Sequence, residues 1–444
     1  MKDLTEGKPT RLIFYFALPM LLGNVFQQLY NIVDSIIVGN FLGKEALAAV
    51  GASFPIIFTL ISLIIGVASG STVIIAQYFG AKNMTNVRKA IDTMYIFLFV
   101  ASVILSVLGI TFSKQIFTLI KLPEEIMPQA NTYLRIYLTG LIGFFGFNGT
   151  SAVLRGLGDS KTPLYFLILS TVFNIGFDLL FVIVFKWGIA GVALATVISQ
   201  TGAFISLIIY LNRNHEVVKF TLKKLRWDRD IFHKSLKIGL PTGFQHTFVS
   251  LGMMALFGIV NTFGTNVIAA YSVAGRIDAL ALLPAMNFAQ ALSTYTGQNI
   301  GANKTERVAA GVTSTFLMSS VITLLVMAVV ILFSSFMMNL FTDDKNVISI
   351  GVEYLRIVST FYLLFTAMFT ISGVMRGAGD TLIPMFITLF SLWVIRIPAA
   401  WLLSQRFGET GIWYAVPVAW GIGAIFSYIY YRTGKWKTKS VVKQ

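Results

Sequence analysis

The chain of 444 residues contains no cysteine. That absence excludes disulfides, thiolate metal sites and cysteine nucleophiles. Charge is scarce as well. Asp, Glu, Lys and Arg together make up 12% of the chain, about half the ~25% usual in soluble proteins. Acids are the scarcer sign, 19 against 34 bases, for a formal net charge of +15. Such an excess could suit nucleic acid, but no polar run interleaves Lys or Arg with aromatics, so no nucleic-acid partner is expected. What the chain does have is apolar mass: 56% hydrophobic residues and a mean hydropathy of +0.77. So apolar a surface would aggregate in water, and a membrane protein follows. The polar start MKDLTEGKPTR leads into an apolar stretch with no small-residue cleavage site, so that stretch is expected to be a retained first helix.

Twelve apolar segments are long enough to span a bilayer: 11–39, 46–79, 90–112, 130–154, 163–185, 188–211, 234–262, 267–299, 308–333, 350–375, 382–404 and 411–432. The loops between them alternate in basic content. One side gathers 24 Lys and Arg, including Lys82, Arg88, Lys89, Arg155, Lys161, Lys224, Lys304, Arg307, Arg376, Lys443 and both termini. The other side holds six: Lys44, Lys114, Lys121, Lys186, Lys345 and Arg406. The basic side faces the cytoplasm, so the expectation is a multi-pass plasma-membrane protein with both termini cytoplasmic.

An offset of 221 superposes separated motifs. Gln77 with Gly80–Ala81 falls on Gln298 with Gly301–Ala302, and Tyr133-Leu134-Arg135-Ile136 on Tyr354-Leu355-Arg356-Ile357. Arg155-Gly156-Leu157-Gly158-Asp159, with Pro163, falls on Arg376-Gly377-Ala378-Gly379-Asp380 with Pro384. Pro19 and Pro241 stand 222 apart. The chain therefore reads as a duplication. The expected fold is an all-α membrane protein of twelve transmembrane helices in two six-helix lobes, as parallel repeats about a pseudo-two-fold along the membrane normal. The expected division is 1–211, a basic linker at 212–237, and 238–444. The Arg-Gly-x-Gly-Asp turns are structural: glycine supplies left-handed backbone and Asp a cap. No Walker lysine follows and no strand precedes them, so they are not phosphate loops.

Ionisable groups at membrane depth are costly and mark pathways or sites. The first span carries Asn24, Gln27, Asn31 and Asp34 on one face, and the fifth carries Asn174 and Asp178 one turn apart. Asn148 lies on the fourth span and Thr196 on the sixth. Carboxylates, amides and a hydroxyl are hard ligands, suited to H⁺ or Na⁺ and not to a soft metal. The bland alternative is helix–helix glue, which suffices for Asn148 and Thr196 alone; the carboxylates Asp34 and Asp178 argue for a site. The second half replaces Asp34 by Ala255 and Asp178 by Ala399, and carries instead Gln245, His246, Arg276, Asp278 and Arg396. Gln27, Asn31, Asn148, Gln245, Arg276 and Asp278 are candidate cleft-lining or supporting residues.

The two halves, the Arg-Gly-x-Gly-Asp turns and the run Gln-Gln-Leu-Tyr-Asn-Ile-Val-Asp34 resemble the multidrug and toxic compound extrusion (MATE) family, in its DNA-damage-inducible-type prokaryotic branch. The resemblance implies export of amphipathic, often cationic drugs or toxic metabolites in exchange for H⁺ or Na⁺. It implies a cation site at Asp34, Asn174, Asp178 and Thr196, and a first helix that bends at Pro19. It also implies a lipid-embedded, non-enzymatic protein, expected as a monomer, with no cofactor beyond the coupling ion. The competing reading is a lipid-linked oligosaccharide flippase of the same superfamily. Only Arg276 and Arg396 could hold a pyrophosphate there, and the span count of twelve is lower than such proteins often carry. No metalloprotease, Ser/His or paired-aspartate signature at membrane depth supports an intramembrane enzyme.

Overall fold

The computed structural model describes residues 2–215, 218–221, 223 and 225–442. Lys224 and Lys443, counted above on the basic side, lie outside them. The fold is 87% helix, with no strand among the described residues. Helices run α1 Pro9–Leu42, α2 Lys44–Gly80, α3 Met84–Leu119, α4 Met127–Thr139, α5 Leu141–Gly156, α6 Lys161–Leu179 and α7 Gly188–Asn214. They continue as α8 Arg229–Asn261, α9 Thr265–Ala281, α10 Leu283–Gly301, α11 Thr305–Asn339, α12 Lys345–Ser359, α13 Tyr362–Ala378, α14 Leu382–Leu389, α15 Ile397–Phe407 and α16 Glu409–Arg432. Among the described residues ten helices can cross a bilayer, or twelve if α4 with α5 and α12 with α13 each count as one bent span.

The duplication extends to helix ends and backbone angles. Adding 221 to the first residues of α2, α3, α5, α6 and α7 gives 265, 305, 362, 382 and 409, the starts of α9, α11, α13, α14 and α16. Left-handed backbone recurs at the same offset: Gly43 and Gly264 (φ 86° and 90°), Gly158 and Gly379 (79° and 93°), Lys82 and Asn303 (56° and 58°). Asp159 then caps α6, accepting from the Thr162 N–H at 3.1 Å.

Two expected spans are not straight. The fourth breaks between α4 and α5 by 52°, and the tenth between α12 and α13 by 49°. At the first break a Cβ on Gly140 would lie 2.5 Å from Val197 Cγ2, so α7 presses on the backbone where no side chain fits. The fifth and eleventh spans each contain a π-helical stretch, Leu180–Val184 and Phe390–Arg396.

Packing divides the chain into Met1–Lys2 with Leu22–Leu240, and Asp3–Leu21 with Pro241–Gln444. These units differ from the expected stretches 1–211 and 238–444, because α1 and α8 each change unit partway along. The change comes two residues past Pro19 in α1 and at Pro241 in α8. A proline removes one ladder hydrogen bond and loosens the helix there, so each helix is weakest where its packing changes. In the second unit, Leu12, Ile13, Phe16 and Ala17 of α1 join a core with Phe288, Ala291, Leu292 and Tyr295. The Leu4 N–H donates to Gln298 Oε1 at 2.9 Å and anchors the segment before α1. In the first unit, the start of α8 crosses α2 on glycines. A Cβ on Gly239 would lie 2.4 Å from Val67 Cα, and one on Gly70 2.6 Å from the Ser235 carbonyl oxygen. Small residues at such a crossing let two backbones touch.

Candidate functional site

In the first unit, α1, α6 and α7 bring four of the sequence candidates together. Asp34 is 8% exposed, Asn174 2%, Asp178 0% and Thr196 7%. Asn174 and Asp178 sit one turn apart on α6, just before its π-helical stretch. With its amide oriented to satisfy both neighbours, Asn174 donates to Asp178 Oδ2 at 3.0 Å and accepts from the Thr196 backbone N–H at 3.2 Å. The Thr196 hydroxyl lies 3.2 Å from the Tyr30 hydroxyl.

The Asp34 and Asp178 carboxyls stand within hydrogen-bonding range of each other. Asp34 Oδ1 and Asp178 Oδ1 are buried with no donor among the described residues. Two ionised carboxylates are acceptors only and cannot bond each other. A shared proton resolves the conflict, and so does a small cation between them. The nearby oxygens, two carboxylates, an amide and a hydroxyl, are the hard set a proton or Na⁺ takes. Among the described residues no three His, Cys, Asp or Glu gather where they could hold a metal ion.

Beside this pair lies a small recess of about 10 Å³, room for about one water molecule, lined by Gln27, Tyr30, Ser170, Asn174, Thr196 and Gln200, among others. Gln27 thus joins the site's polar surround. Tyr30, four residues before Asp34, is a member the sequence reading passed over; its spacing on the Asp34 face was the available signal. Asn31, a candidate cleft-lining residue, is exposed and donates to Gln28 Oε1 at 3.3 Å. Asn148 returns its amide to its own helix, donating to the Phe144 carbonyl at 2.9 Å.

In the second unit the candidates separate. Gln245 donates to Thr388 Oγ1 at 2.7 Å and accepts from Arg376 Nη2 at 3.1 Å, which ties α8 to α13 and α14. Arg276 is exposed, whereas Asp278 is buried at 7%. Asp278 accepts from the Tyr354 hydroxyl at 2.7 Å and from the Tyr362 hydroxyl. Arg396 lies within electrostatic reach of Asp278 but outside ion-pair distance, and its Nη1 meets Met253 Sδ at 3.8 Å.

The MatE family model matches residues 19–180 and 241–402, two stretches displaced by 222. The chain is 33% identical over 436 residues to the probable multidrug resistance protein YpnP of Bacillus subtilis, covering 98% of this chain and 97% of that one. It is 34% identical over 455 residues to the probable multidrug resistance protein YoeA of the same organism, covering 99% and 97%. Its fold is similar to a solved multidrug resistance MATE family transporter of the MOP superfamily in an outward-facing conformation. The TM-score is 0.91 and the identity 26%, with 97% of each chain covered.

Proposed function

The chain belongs to the MatE family, a family of multi-pass membrane transporters, and we propose that it exports amphipathic, often cationic compounds by alternating access in exchange for H⁺ or Na⁺. The observation that carries this reading is the buried pair Asp34 and Asp178, each with an oxygen that no group among the described residues satisfies. A coupling site must prefer one ion occupancy in one conformation and another in the other. Two acids that cannot both stay ionised unaided have that property.

In this reading the ion enters by the polar recess, Asn174 holds Asp178 in place, and Thr196 and Tyr30 supply hydroxyls. Loading one ion removes one of the pair's two negative charges. Helix α1 carries Asp34 past Pro19, where its packing changes unit, so a change at Asp34 is passed along one helix into both units. Ion and drug then compete through conformation, and linkage makes the effect reciprocal: each weakens the other's binding by the same factor. The names of the relatives support a drug-like substrate, and the basic asymmetry of the loops supports cytoplasmic termini. The test is transport in proteoliposomes. Drug uptake should follow an imposed Na⁺ or proton gradient in the wild type and lose that dependence in Asp34→Asn. Uphill movement that persists in the variant refutes the assignment.

A further inference from the structure

We propose that Asp278, Tyr354 and Tyr362 form a second proton-responsive site, within the second unit, whose protonation state sets the bend of the tenth span. The geometry begins with the 49° break between α12 and α13. Tyr354 lies on α12 and Tyr362 is the first residue of α13, so the two hydroxyls come from opposite sides of the break. Both donate to one carboxyl, Tyr354 to Oδ2 and Tyr362 to Oδ1. Asp278 therefore clasps the bend from α9.

The clasp is built into an apolar cluster. Ala274, Ile277, Tyr354, Tyr362, Leu392 and Trp413 are buried around it, and Tyr354 packs edge-on against Trp413 at 4.9 Å. Structural bonding across a helix break rarely needs a carboxylate, since an amide could accept at lower cost. The charged and titratable groups facing Asp278 are the two tyrosines, on α12 and α13, and Arg396 at the end of the π-helical stretch. Arg396 is itself 8% exposed, and its Nε has no acceptor among the described residues. The carboxylate is thus held by two donors, and its charge faces a guanidinium that forms no ion pair with it.

An ionised carboxylate accepts from both hydroxyls. A proton taken from solvent onto one oxygen turns that oxygen into a donor, and it then meets a tyrosine that is also donating. That hydroxyl must reverse and accept instead, both bonds lose the strength that the carboxylate charge gave them, and the hold on the bend weakens. The bent span therefore favours the ionised acid, and by linkage acidification favours a straighter one. The first unit does this differently. There the equivalent tyrosine, Tyr133, lies in electrostatic reach of Asp34, whereas the residue equivalent to Asp278 is Ile57.

The site can be read separately from the one proposed above by using a double variant, Asp34→Asn with Asp178→Asn. Infrared difference spectra of that purified protein between alkaline and acidic pH should show a protonated-carboxyl band. The band should vanish when Asp278→Asn is added. The chain has no cysteine, so Ser349→Cys and Ala367→Cys give a unique spin-label pair across the break. Straightening arms of about 16 and 9 Å, at 1.5 Å per residue, should lengthen their separation by about 2 Å on acidification. Tyr354→Phe and Tyr362→Phe, gentler changes, should each shift the midpoint of both signals. No Asp278-dependent band, a band without a distance change, or an unshifted midpoint in both tyrosine variants overturns the proposal. Failure of the first unit's transport reading leaves these outcomes unaffected.

Discussion

Replacing either member of the Asp34–Asp178 pair by asparagine should uncouple transport while stabilising the ion-free protein. The two carboxyls lie in hydrogen-bonding range. For scale, two full charges about 4 Å apart at an effective dielectric of about 20 repel by about 4 kcal/mol. One bound proton or Na⁺ removes that repulsion, and so does one asparagine. In Asp178→Asn the new amide can still accept from Asn174 through its oxygen and can donate to Asp34 through its nitrogen, so nothing is left unpaired. Thermal unfolding of wild type at alkaline pH should therefore rise on adding the coupling ion, whereas either variant should start high and respond little. Transport gives the second readout. If one net charge crosses per cycle, a 100 mV potential is worth about 2.3 kcal/mol, enough for about 50-fold accumulation. Proteoliposomes with wild type should approach that ratio and the variants should equilibrate near one. A variant that still accumulates drug, or one whose unfolding tracks the ion as wild type does, refutes the electrostatic argument.

Three further outcomes follow from packing. Gly239→Ala places a Cβ 2.4 Å from Val67 Cα, a backbone atom that cannot yield, and should cost about 1–3 kcal/mol; Gly258→Ala on the same helix meets nothing within 4 Å and should gain about 0.4–1 kcal/mol, so their melting temperatures should move in opposite directions. Pro19→Ala should slow turnover in a vesicle assay while ion-dependent stability at Asp34 stays unchanged; equal turnover would remove the proline from the mechanism. Asp228 caps α8 through the Ile231 N–H at 3.1 Å and pairs with Lys89 at 3.3 Å. The Ile231 N–H chiefly holds its carboxyl below the usual range; burial opposes it, and Lys89 adds to the lowering. A depressed carboxylate contributes stability above its unfolded pKa and loses it as pH falls through the folded one. Asp228→Ala should thus cost about 1 kcal/mol at neutral pH, and the difference from wild type should fade in strong acid.

Much of the candidate site was legible because helical spacing is local. Asn174 and Asp178 are one turn apart, and Asp34 heads a polar face, so period alone placed each on its helix. Tyr30 occupies the same face but reads as an apolar aromatic at membrane depth; only its 3.2 Å approach to Thr196 reveals the hydroxyl's use. Asn31 has a similar residue type and spacing, and its amide bonds to Gln28 on its own helix. The bends at 140 and 361 were not legible, because the apolar pattern runs through both without a proline. The change of unit within α1 and α8 rests on contacts hundreds of residues apart, such as Leu4 with Gln298, which no local window holds.

The offset of 221 fixes the backbone far more tightly than it fixes charge. Helix starts, left-handed residues and broken spans recur in register, and the turn acid Asp380 keeps Asp159 as its mate, but three buried acids have none: Asp34 pairs with Ala255, Asp178 with Ala399 and Asp278 with Ile57. Backbone geometry is shared by every residue of a helix, so drift in it is opposed at many positions at once. A buried carboxylate is opposed only by its own desolvation and persists only where local donors or a bound ion offset it. Asp178 finds Asn174, and Asp278 finds two tyrosines. Asp34 and Asp178 keep oxygens that no donor among the described residues meets. The difference in donor supply therefore separates an acid held by two hydroxyls from a pair whose free oxygens are what the proposed coupling ion would complete.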